Sequence, residues 1–122
     1  MSESISSVLL DAHCARRRGL NAIARRQRAR LGEAVAFARA NSPYYRELYQ
    51  GLPERIESSS MLPVTNNQEL MRRFDEWVTD REVSFAAVRG FVDNPELIGQ
   101  RLLGKYSVAT TSGSTGNVRY FV

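Results

Sequence analysis

A chain of 122 residues, 43% hydrophobic and 25% charged, has the balance of an ordinary globular protein with one modest core, which excludes a disordered chain. One cysteine, Cys14, and one histidine, His13, exclude an internal disulfide and a cysteine-rich metal site. The net charge of +4 is unevenly placed, and no apolar run reaches the roughly 20 residues of a membrane span.

At the N-terminus Val8-Leu9-Leu10 is followed at once by Asp11, and the arginines come after this run rather than before it. That order is wrong for a secretory signal, so a cytoplasmic protein is expected. Residues 5–18 predict a short helix interrupted by Gly19. Within it His13 and Cys14 are sequence neighbours and point in different directions, a poor basis for Ser-His-Asp or Cys-His catalysis. They are read as structural or incidental.

From Leu20 the apolar positions Ile23, Ala24, Leu31, Ala34, Val35 and Ala38 recur at helical spacing, and Arg25, Arg26, Arg28 and Arg30 fall off that stripe. Residues 1–50 hold nine arginines against four acids, whereas residues 51–122 hold seven arginines and one lysine against nine acids. Seven of the arginines lie between Arg16 and Arg30. A small basic helical domain binding nucleic acid or another polyanion is the alternative function this cluster suggests. No aromatic residue is interleaved to stack on bases, so a solvated helix face is preferred.

Ser42-Pro43 ends that helix and starts a short one carrying Tyr44, Tyr45, Leu48 and Tyr49. A loop is expected over 51–63. Thr65 followed by Gln68 has capping-box spacing and predicts a helix with Leu70, Phe74, Trp77 and Val78 on one side. Another helix begins near Ser84 with Phe85, Val88 and Val92, and Asn94-Pro95 breaks it. One more short turn or helix spans Leu97 to Leu103 and ends at Gly104.

The last stretch changes character. Lys105 to Thr110 predicts a strand, and Val118 to Val122 a second. Between them runs Thr111-Ser112-Gly113-Ser114-Thr115-Gly116. Glycines let backbone N–H groups close on an anion without Cβ clashes, and hydroxyls add rotatable donors for phosphate oxygens. The spacing is neither a Walker-type loop nor a dinucleotide fingerprint. It is also longer than the about two to five loop residues of an ordinary tight hairpin.

The string TTSGSTG, Thr110 to Gly116, resembles the phosphate-binding signature of the acyl-adenylate-forming superfamily. The phrases SPYYRELY from Ser42 and LPVTNNQEL from Leu62, with Gly104-Lys105-Tyr106 ahead of the loop, resemble its phenylacetate–coenzyme A ligase branch. The likeness spans roughly residues 25 to 122. Three positions depart from the pattern: Val118 stands where proline is common, Arg119 where lysine is common, and Asn67 where a lysine is expected.

The resemblance implies an α/β enzyme, α+β over these residues, in which 1–104 form a mainly helical segment and 105–122 the strand–loop–strand that opens the adenylation core. It implies ATP, Mg²⁺ and coenzyme A or another thiol, a small carboxylic acid substrate, and neither a membrane nor a nucleic-acid partner. Ser112, Ser114 and Thr115 are then hydroxyl donors, Gly113 and Gly116 backbone enablers, Thr111 a weaker member and Arg119 a charge partner. No catalytic or metal-binding residue is assigned. Relatives carry several hundred further residues, so the chain is expected to be the N-terminal part of such a ligase and inactive alone.

Overall fold

The computed structural model describes residues 4–111 and 118–122. It is α+β: helices dominate, followed by one two-stranded antiparallel sheet. The chain forms two compact units, residues 1–37 with 51–63 and residues 38–50 with 64–122. Among the described residues no helix is long and apolar enough to cross a membrane.

In the first unit α1 is Ile5–Arg17 and α2 begins at Leu20 and runs to Asn41, its last residues lying in the second unit. Gly19 separates the helices at φ +82°, a left-handed conformation in which a side chain is strained. Asp11 of α1 pairs with Arg26 of α2 and lies 3.8 Å from Arg30. Along the apolar stripe of α2, Val35 is buried and Ile23, Ala24 and Leu31 are half-buried. Leu20, by contrast, is in solvent, because the stripe reaches apolar cover only further along. The returning segment buries Ile56 and passes Gly32, where an added Cβ would meet the Ile56 carbonyl oxygen at 3.8 Å.

The second unit starts with α3, Pro43–Leu48, which is capped as the Ser-Pro pair predicts. Ser42 is fully buried. Its hydroxyl accepts from Tyr45 N–H at 3.2 Å and donates to the Glu76 carbonyl at 3.0 Å, tying α3 to a segment 34 residues away. Replacing Ser42 by alanine removes the cap and takes the hydroxyl donor from the part-buried Glu76 carbonyl, an expected loss of about 1–2 kcal/mol in urea unfolding. A loss near zero would show that water replaces both bonds.

The predicted capping box is corrected by one residue. Asn66, not Thr65, caps α4 (Asn67–Arg72), its Oδ1 accepting from Glu69 N–H at 2.8 Å. Asparagine caps at least as well as threonine, and its side chain reaches the third residue of the helix. The helix expected to carry Leu70 through Val78 also divides at Arg73, whose backbone (φ −109°, ψ 32°) leaves the helical region before α5, Phe74–Trp77. The break lets the Arg73 guanidinium lie over the Tyr44 ring at 5.0 Å and bind Glu47 at 2.6 Å as well as Glu76. Leu70 and Phe74 are buried as the pattern predicts.

Ser84 caps α6, Phe85–Asp93, accepting from Ala87 N–H at 3.2 Å. Phe74, Val83, Val88 and Leu102 form the core, with Trp77, Phe85, Tyr106 and Tyr120 packed around it. Asn94-Pro95 ends α6 and opens a 3₁₀ turn, Pro95–Leu97. The strand predicted from Lys105 is shorter than expected, since β1 is only Ala109–Thr111. Leu103 and Gly104, at φ 54° and 68°, turn the chain so that Leu102 and Tyr106 bridge. That turn directs Leu102 into the core and consumes the first half of the expected strand. β2 is Arg119–Phe121.

Candidate functional site

The ribbon that carries the hydroxyl- and glycine-rich loop is anchored from below. β1 and β2 pair antiparallel with Ala109 opposite Phe121, Thr110 opposite Tyr120 and Thr111 opposite Arg119. Side chains alternate across a strand, so Thr110 and Tyr120 share one face and Thr111 and Arg119 the other. Tyr120 fixes which face is inward. Its ring meets Phe85 edge-on at 5.3 Å, and Phe85 meets Phe74 at 5.5 Å. Thr111 and Arg119 are thereby held on the solvent side, as direct cross-strand partners at the base of the connection 112–118.

Of the residues expected to hold phosphate, the register thus brings together Thr111 and Arg119. Ser112, Gly113, Ser114, Thr115 and Gly116 lie outside the described residues, as does Asn117. Asn67 is exposed at the start of α4, remote in sequence from the ribbon. Cys14 is exposed and unbonded, and the neighbouring His13 is also exposed.

A second feature has no counterpart in the motif reading. A cavity of about 300 Å³ is walled by Tyr45, Phe74, Trp77, Val78, Asp80 and Tyr106. Trp77 Nε1 donates to the Tyr45 hydroxyl at 3.1 Å, and Tyr106 donates to Asp80 Oδ2 at 2.6 Å. The Tyr106 hydrogen bond, with the Glu82 backbone N–H, holds the Asp80 carboxyl below its usual range. Lys105, 2.8 Å from Glu82 and 3.9 Å from Asp80, completes the cluster and has its own pKa raised, chiefly by Glu82. These partners are 23 to 32 residues apart, and no spacing in the sequence announces them.

Because the folded Asp80 pKa is depressed, its contribution is present above the unfolded carboxylate value of about 3.9 and is lost as pH falls through the lower folded value. Asp80→Asn is therefore expected to flatten the fall in stability between about pH 5 and pH 2. Urea midpoints across that range check it, and wild-type and variant curves that stay parallel would contradict it.

Among the described residues no group of three or more His, Cys, Asp or Glu side chains is arranged to hold a metal ion. No family model, curated protein or solved structure matches the chain.

Proposed function

We propose that this chain is the N-terminal part of an ATP-dependent acid–thiol ligase of the acyl-adenylate-forming kind, resembling the phenylacetate–coenzyme A ligase branch. The observation that carries the reading is the Ser112–Gly116 string between two strands paired so that Thr111 faces Arg119. A guanidinium at the base of a loop rich in hydroxyls and glycines is suited to a triphosphate tail, offering a planar fork where lysine would offer a point charge.

In this reaction a substrate carboxylate oxygen attacks the α-phosphorus of ATP, and the bond to the β-phosphate oxygen breaks. Acyl-AMP and pyrophosphate result. A thiol, such as that of coenzyme A, then attacks the acyl carbon and expels AMP. The role of this chain is to hold the β- and γ-phosphates, through Ser112, Ser114 and Thr115 and the backbone N–H groups freed by Gly113 and Gly116. Arg119 offsets the charge that grows on departing pyrophosphate. Catalysis at this loop is positioning and electrostatics, not attack by a protein nucleophile. The described residues at the loop base, Thr111 and Arg119, bring a hydroxyl and a cation but no carboxylate. They fit phosphate oxygens rather than Mg²⁺. A cytoplasmic location goes with ATP and coenzyme A as substrates.

The test is acid-dependent exchange of labelled pyrophosphate into ATP, using protein from the longest reading frame that contains these residues and a panel of aryl and alkyl acids. Exchange with at least one acid is expected, and none from residues 1–122 alone. Absence of exchange across the panel, or exchange by the 122-residue chain alone, would contradict the reading.

A further inference from the structure

The arginines of α2 do not act as one patch. Arg26 and Arg30 turn toward α1 and meet Asp11, and Arg30 also reaches Glu33 at 3.9 Å. Arg25 and Arg28, one turn apart and therefore neighbours on the helix surface, have no ion pair among the described residues. Both line a groove of about 420 Å³ between α2 and the segment 55–57, with Gly32 in its floor. Ile56 is only 2% exposed, which fixes that segment against α2 and sets Arg55 and Glu57 on the rim. The two carboxylates of the groove each already face a cation, Glu57 with Arg55 at 3.2 Å and Glu33 with Arg30. The uncompensated charge is that of Arg25 and Arg28.

The geometry points to this groove as a binding site for the phosphate group of a small phosphorylated compound, with Arg25, Arg28 and Arg55 as its cationic contacts. Guanidinium forks match phosphate oxygens in pairs of hydrogen bonds, and three arginines line this groove, Arg25 and Arg28 from the helix and Arg55 from the rim. The volume lies in the range of small-molecule sites. An extended nucleic-acid strand fits less well, since the groove holds no aromatic side chain for stacking. The site lies in the first unit, whereas the loop proposed for ATP lies in the second, so either can fail without the other.

The experiment is a residue-resolved NMR titration of the 122-residue chain with inorganic phosphate, and separately with a twelve-residue thymidine oligonucleotide. Saturable shifts at the Arg25, Arg28 and Arg55 Nε–H groups and at the Gly32 and Ile56 amides are expected with phosphate. Arg25→Gln with Arg28→Gln should weaken binding by about tenfold or more, whereas Arg16→Gln with Arg17→Gln, the same charge change outside the groove, should alter it by less than about twofold. If the first pair does not fold, Arg55→Gln carries the same expectation from the loop side. Absent shifts, equal weakening by both pairs, or tighter oligonucleotide binding centred on Arg16 to Arg18 would overturn the proposal.

Discussion

Phe74→Ala should lower the unfolding free energy by about 3–5 kcal/mol, a large share of the about 5–15 kcal/mol that holds a domain together. Phe74 is 2% exposed and meets Trp77 at 5.8 Å and Phe85 at 5.5 Å, both edge-on. Truncating it removes a large buried apolar surface and those ring contacts, and leaves a void that the surrounding rings only partly fill. The consequence extends to the site. Tyr120 of β2 rests on Phe85, so loosening Phe85 releases the anchor that orients the ribbon. Trp77, the single tryptophan, lies against Phe74 and reports the transition in urea. A loss below about 1 kcal/mol would mean that this aromatic cluster is not the centre of the core.

The second large effect concerns turnover by the proposed ligase, prepared from the longest reading frame that contains these residues. Thr115→Ala should reduce the acid-dependent exchange rate by about a hundredfold, the cost of losing one donor aimed at developing charge. Arg119→Lys keeps the charge but gives up the fork, so its loss should fall between that of wild type and that of Arg119→Gln, which gives up both. Steady-state rates with a fixed acid and varied ATP check both. An unchanged rate in Thr115→Ala would remove the loop from the chemistry.

Much of the helical architecture is legible in the residues. Gly19, Ser42-Pro43, Ser84 and Asn94-Pro95 each act locally, through a left-handed φ, a cap or a missing N–H, and each boundary lies where those residues predict. The departures arise where distant residues decide. The division at Arg73 serves partners at Glu47 and Tyr44, and the shortened first strand follows from a Leu103–Gly104 turn that seats Leu102 in the core. Periodicity carries no record of either. The same holds for the cavity beside Trp77, built from Tyr45, Asp80 and Tyr106, which meet only after folding. For the loop proposed to hold phosphate, the flanking strands are legible as β-branched and aromatic runs. The pairing of Thr111 with Arg119 required the register. The cluster between Arg16 and Arg30 read as one basic face, but Asp11 and the segment around Ile56 divide it.

The most direct test of the central claim is ³¹P NMR of the products formed from ATP by protein from the longest reading frame that contains these residues, with and without a carboxylic acid and coenzyme A. The ligase reading predicts AMP and pyrophosphate, formed only when the acid is present, with loss of both in Thr115→Ala. ADP and inorganic phosphate, or ATP cleavage indifferent to the acid, would contradict it.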